Sequence, residues 1–121
     1  VKLMVVNDPV KNVVLSGDLV TANVPLMDIQ WDRELAVVVD MGERRTGGYG
    51  LTVTDVRMAG EAELRIELQV RRPGPGSFVA QVLTHPYAVA KVPRKNLAAG
   101  PLTVVAVDQN GAELARQVVE L

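Results

Sequence analysis

Cysteine is absent from this chain, histidine occurs once and serine twice. Each shortage removes chemistry. Without cysteine there is no disulfide framework, no thiolate nucleophile and no sulfur ligand, and the redox compartment is left unread. A lone histidine, His85, excludes the usual imidazole-rich zinc sets. Ser77 and His85 are arithmetically a nucleophile–base pair. Their eight-residue spacing crosses a Pro/Gly-rich stretch, however, with none of the strand–turn–helix setting of a nucleophile elbow. His85 is expected instead to pack its ring or to bond a loop carbonyl. Asp28, Asp32 and Glu34 around Trp31 share one side of an extended segment, and the simplest reading is a solvated strand face, not a cation site. The sequence thus predicts no catalytic residue, no metal and no cofactor.

Concentrated charge and long apolar runs are missing too. The formal net charge is -1, and the basic pairs Arg44-Arg45, Arg71-Arg72 and Arg94-Lys95 lie far apart along the chain. Phosphate binding needs a clustered basic surface, so no nucleic-acid partner is predicted. No run approaches the roughly 18 apolar residues of a membrane helix. The chain opens at Val1 with no basic n-region or apolar h-region, so any export signal or anchor is expected to lie outside it.

What is present is aliphatic alternation. The chain has 121 residues, 48% of them hydrophobic and 22% charged, which predicts one globular domain with its own core. Short period-2 segments rich in β-branched residues occur at 3–6, 12–15, 19–24, 51–58, 63–71, 87–92, 102–107 and 114–119. Residues 35–39 form an unbroken apolar run, the pattern of a strand buried on both faces. Along 63–71, Leu64, Ile66, Leu68 and Val70 alternate with charged and polar residues, which predicts a half-exposed antiparallel strand. The inward face of 51–58 is ambiguous towards its end. Asn110-Gly111 predicts a hairpin over 102–120, set off from the body by Ala98-Ala99-Gly100-Pro101. Only 77–83 has helical character, for a turn or two. The expected fold is all-β: a small antiparallel sandwich or partly open barrel with at most one short helix.

Four residues are aromatic, and Tyr49, Phe78 and Tyr87 fall in one window, each beside glycine or proline. Gly47-Gly48 offers conformational freedom just before Tyr49. Pro73-Gly74-Pro75-Gly76 alternates fixed and free φ. Pro86 biases His85 towards extended geometry before Tyr87. Tyrosine on loops held by a rigid scaffold suits partner binding. With so few aromatics, Phe78 and at least one tyrosine are expected to plug one end of the core.

The blocks 28–34 (Asp-Ile-Gln-Trp-Asp-Arg-Glu), 42–49 (Gly-Glu-Arg-Arg-Thr-Gly-Gly-Tyr), 72–76 with Gln81, and Thr84-His85-Pro86-Tyr87 with Lys91-Val92-Pro93 give residues 28–94 a family likeness. They resemble the C-terminal domain of PrcB, a subunit of a bacterial surface protease complex. The resemblance implies a small non-catalytic β domain, exported or lipid-anchored in the bacterial cell envelope, and a protein partner that includes an envelope protease as candidate. A membrane link through an anchor outside this chain, and self-association through an exposed strand such as 63–71, are also expected. Arg44, Arg45, Gly47, Gly48, Tyr49, His85, Pro86 and Tyr87 are the candidate partner surface. A weaker likeness, to the chagasin-like protease inhibitors, lies in the order of a Gly-Gly-Tyr loop, a Gly-rich loop and a Pro-aromatic loop. It implies an inhibitor or regulator working through those loops, although the Asn-Pro lead of that family is missing and His85 and Tyr87 replace its Arg and Trp.

Overall fold

The computed structural model describes residues 1–8, 13–17, 29–45, 47–74, 76, 83–97 and 99–121. Their strands are β1 (Lys2–Asp8), β2 (Val13–Gly17), β3 (Glu34–Asp40), β4 (Gly50–Gly60), β5 (Glu63–Arg71), β6 (Tyr87–Pro93), β7 (Pro101–Val107) and β8 (Glu113–Glu120). They form two four-stranded sheets, in the orders β2-β1-β3-β6 and β4-β5-β7-β8. All eight strands were expected. The candidate at 19–24 and the helical turn at 77–83, with Phe78, Ser77 and Gln81, lie outside the described residues, apart from Leu83, which is in a loop. The short helix that is described, a 3-10 turn over Arg94–Asn96, follows Pro93.

Leu3, Val5, Leu35, Val37 and Val39 of the first sheet meet Leu64, Ile66, Leu68, Leu102, Val104, Ala106 and Val119 of the second in one core cluster. β3, paired with β1 on one side and β6 on the other, is fully buried on both faces: Ala36 and Val38, which point away from the second sheet, are at 0% exposure. That is why its sequence does not alternate. No buried hydrophobic among the described residues is aromatic. The expected aromatic plug is therefore absent for both tyrosines: Tyr49 is half-buried and Tyr87 is 38% exposed. Among the described residues, β-branched, leucine and alanine side chains form the core cluster.

β4 settles its own ambiguity with a bulge. The register with β5 shifts between Val53 and Asp55, so Leu51 and Val53 are followed inward by Val56 and Met58. One extra residue switches the parity of the inward face.

β5 departs from expectation in its second neighbour. It pairs antiparallel with β4 and parallel with β7. The chain leaves β5, crosses to the first sheet for β6, and returns in the direction it left, so β7 must run alongside β5. β5 is consequently an interior strand of its sheet and offers no free edge for self-association; the edges of the second sheet are β4 and β8. For the same reason the 102–120 hairpin is not set off from the body, because β7 supplies Leu102, Val104 and Ala106 to the shared core.

The β7–β8 hairpin closes where Asn110-Gly111 predicts it. Gly111 N–H donates to Asp108 C=O at 3.0 Å and Asp108 N–H to Ala112 C=O at 2.9 Å, with Gly111 at φ 80°. This is a three-residue loop with glycine in the left-handed position. Asp108 Oδ1 also accepts from the amides of Asn110 and Ala112. Gln109 then does the work of a strand. Its side-chain amide accepts from Val70 N–H at 2.9 Å and donates to Val70 C=O at 3.1 Å, extending the pairing of β5 beyond the point where β7 turns away.

Two outcomes follow for urea denaturation. Ile66→Ala, at a fully buried site between sheets, should cost about 3–4 kcal/mol. Gln109→Ala should cost roughly 1–2 kcal/mol by stranding two backbone groups, more than the alanine change at the adjacent exposed Asn110.

Candidate functional site

β3 and β5 end, and β4 and β6 begin, at the same end of the sandwich, as the pairs Asp40 with Tyr87 and Gly50 with Arg71 show. The β3–β4 loop and the approach to β6 are tied together there. Met41 N–H donates to Pro86 C=O at 2.9 Å, and Arg44 and Thr84 exchange two backbone hydrogen bonds at 2.8 and 2.7 Å. A short extended bridge thus continues the β3·β6 pairing past the end of both strands.

Asp40 is the pivot of this end. It is the buried polar residue among the described core, at 1% exposure. A buried carboxyl group needs hydrogen-bond partners, and two converge on Oδ1: Gly42 N–H at 2.8 Å and His85 Nε2 at 2.7 Å. The His85 ring nitrogen and the Asp40 carboxyl oxygen share one hydrogen bond, in which the tautomer of the ring sets the donor. Gly42 reaches back to Asp40 at φ 87°, a conformation that favours glycine. His85 therefore bonds a carboxylate where the sequence predicts ring packing or a loop carbonyl. Asp40 was missed as a site residue. Its only signal is that it is the acid ending the apolar run 35–39, and its meeting with His85 requires the β3·β6 register.

Beside this anchor, the Arg44 guanidinium lies over the Tyr49 ring, 5.0 Å from its centroid, while Nη2 donates to Met41 C=O at 3.1 Å. This cation–π contact fixes the ring without burying it in the core. A shallow depression of about 300 Å³ is lined by Tyr49, Leu51, Thr84, His85, Pro86 and Tyr87. The structure thus unites Tyr49, His85, Pro86 and Tyr87 in one hollow, with Arg44 behind Tyr49. Gly47 and Gly48 make the turn before Tyr49, and Arg45 stands exposed in the same loop; these three do not line the hollow. On its other side, near Asp40 and Gly42, His85 borders a second hollow of about 560 Å³.

A hollow of similar size at the opposite end lies near Asp32, Arg33, Glu34 and Arg94, and several of its polar groups are engaged. Arg94 Nε donates to the carbonyls of Trp31 and Glu34, Glu34 accepts from Gln30 N–H, and Arg33 approaches Asp32. Among the described residues there is no group of three metal-ligating side chains, and Asp28 of the expected carboxylate face lies outside them.

The segment that carries this hollow, residues 35–93, matches the family model described as PrcB C-terminal. Over that segment the chain resembles the PrcB C-terminal family. No curated protein and no solved structure matches the chain. The PrcB C-terminal segment spans β3 to β6, and therefore every residue of the tyrosine hollow.

Asp40→Ala should lower stability by about 2–3 kcal/mol, since it strands Gly42 N–H and His85 Nε2 together. Tyr87→Ala, at an exposed position, should change it by no more than about 0.5 kcal/mol. Equilibrium urea unfolding reads both, and a neutral Asp40→Ala would show that the carboxylate is not the anchor.

Proposed function

We propose that this chain is a non-catalytic, protein-binding accessory domain of the bacterial cell envelope, working in or beside a protease complex. The observation that carries the reading is the hollow itself. Both tyrosines and Pro86 line one shallow surface at the end of a sandwich in which no buried hydrophobic among the described residues is aromatic. Tyrosine and proline present a large contact area at low entropic cost. Here they stand on backbone knitted by the Arg44–Thr84 bridge, so little ordering remains to be done on binding. The match to the PrcB C-terminal family supports an accessory role, and the likeness to that subunit motivates the envelope location.

A second reading, a protease inhibitor or regulator, draws support from the same rigidity. Three backbone hydrogen bonds hold the β3–β4 loop against the Thr84-to-Tyr87 segment, so the two present one joined surface to a partner. Residues 72–74 and 84–86 both lie between β5 and β6 in the chain.

The discriminating experiment uses the full chain as bait in envelope extract, beside a Tyr49→Ala/Tyr87→Ala variant whose folding is verified by its urea transition. The expected result is an envelope protein held by the parent and retained at least tenfold less by the variant. Equal retention would move the interface off the tyrosine hollow. Inhibition of papain-like or chymotrypsin-like proteases at stoichiometric concentration would favour the second reading over the first.

A further inference from the structure

The arginines of this chain divide by location. On the outer face of the second sheet, Arg57 Nη2 meets Glu67 at 2.8 Å and Arg116 Nη2 meets Glu113 at 2.6 Å. The latter bond holds the Glu113 carboxyl below its usual range, chiefly by the hydrogen bond from Arg116. At the tyrosine end, by contrast, no carboxylate among the described residues pairs with Arg44, Arg45, Arg71 or Arg72. The two pairs, 27 positions apart in sequence, arrive together because Gly50 is the partner of Arg71 across β4·β5 and follows Tyr49 directly. Arg71 lies across the start of β4: a Cβ on Gly50 would stand 3.2 Å from Arg71 Nη2. Arg44 covers Tyr49 from its other neighbour, while Arg45, Arg71 and Arg72 are exposed. Of the acids nearby, Asp40 is buried and bonded, Asp108 is spent on turn amides, and Glu43 is exposed.

We infer that the tyrosine hollow docks an acidic, extended segment of a protein partner, with Arg45, Arg71 and Arg72 taking its carboxylates. This deepens, and rests on, the protein-binding function proposed above. The hollow, of about 300 Å³, admits one or two side chains between tyrosine, leucine and proline walls. Along an extended peptide, alternate residues project on one side about 6–7 Å apart, which lets apolar anchors enter the hollow while acids reach the guanidinium rim. Arginine, with its planar fork of donors, suits carboxylates. A protein segment is favoured over nucleic acid or an anionic membrane by the rest of the charge distribution. The chain as a whole carries -1, so with these arginines at one end the remaining surface is net negative and repels any polyanion broad enough to reach the flanks.

The test is a selection of random decapeptides displayed on phage, run against the full chain, against Arg45→Glu/Arg71→Glu, and against the folded Tyr49→Ala/Tyr87→Ala variant. Both substituted arginines are exposed, so the urea midpoint of the charge-reversed variant should match the parent. The expected result is a severalfold enrichment of Asp and Glu in peptides held by the parent, lost on charge reversal. Synthetic versions of those peptides should weaken about tenfold between low and moderately high salt. Peptides that need the tyrosines but show no acidic enrichment would overturn this inference and leave the protein-binding function standing. No peptide dependent on either surface would overturn both. Tighter binding of a 20-nucleotide oligothymidylate, or of phosphatidylglycerol vesicles, than of the best peptide would overturn the choice of a protein segment.

Discussion

A carboxyl group inside an aliphatic sandwich has to be supplied with hydrogen-bond partners, and meeting that demand at Asp40 organises the tyrosine end of this molecule. Asp40 terminates the most buried strand, where its side chain has no access to water. Gly42 N–H and His85 Nε2 satisfy it. The first forces the chain to double back through a glycine conformation; the second pins the segment that leads into β6. Once His85 is held, Pro86 C=O stands where Met41 N–H reaches it, and the Arg44–Thr84 bridge continues the same pairing outward. The geometry of the tyrosine hollow is thus a consequence of satisfying one buried carboxyl group from within. A solvated carboxylate in that position would leave the two loops tied only by backbone bonds at the surface, where water competes.

The core imposes the complementary constraint. Among the described residues its buried cluster is valine, leucine, isoleucine and alanine, side chains with no polar atoms to satisfy. A tyrosine placed there would bring a hydroxyl that needs a partner. Excluded from that packing, Tyr49 finds its contact with Arg44 and Tyr87 keeps much of its ring in water. In a chain with two tyrosines, both line one hollow outside the described core, so the residues that pack the sandwich and the residues that shape its end are of different types.

Most of the local structure could be read from the sequence, because short-range alternation and turn chemistry decide it. Leu64, Ile66, Leu68 and Val70 declare their face by period, 35–39 declares double burial by lacking one, and Asn110-Gly111 marks its hairpin. Apart from the aromatic plug, the failures depend on which strand lies beside which. The parallel neighbour of β5 follows from a chain path through the other sheet, which no window of residues encodes. The parity switch in β4 is decided by the shift opposite Asp55, so Val56 reads as outward until the bulge is known. Gln109 looks like an ordinary hairpin residue, and its role in capping Val70 exists only once β5 runs alongside. The candidate site divides in the same way. Tyr49, His85, Pro86 and Tyr87 announce themselves as aromatic and proline punctuation in an aliphatic chain. Asp40 and Arg71 do not, since each joins the site through cross-strand register, with Tyr87 and Gly50 respectively.

The extent of the family segment can be understood in those terms. Residues 35–93 comprise two adjacent strands from each sheet, β3 with β6 and β4 with β5, together with the connections that build the hollow. What lies outside are the strands that complete the sheets, β1 and β2 beside β3, and β7 and β8 beside β5. Those flanks do not line the tyrosine hollow, yet they supply Leu3, Val5, Leu102, Val104, Ala106 and Val119 to the shared core and cover a long edge of each inner pair. Stripped of them, β3 and β5 would each present an unpaired edge beside fully buried aliphatic residues, the arrangement most prone to wrong pairing. A flank is required, but its work is generic: any strand of suitable pattern and register closes the edge. The residues between β3 and β6 are held to a narrower condition, because Asp40, His85, Arg44 and the two tyrosines must meet in one geometry. A recognisable sequence signature is therefore expected to follow the strands that carry the hollow and to fade in the strands that only enclose them.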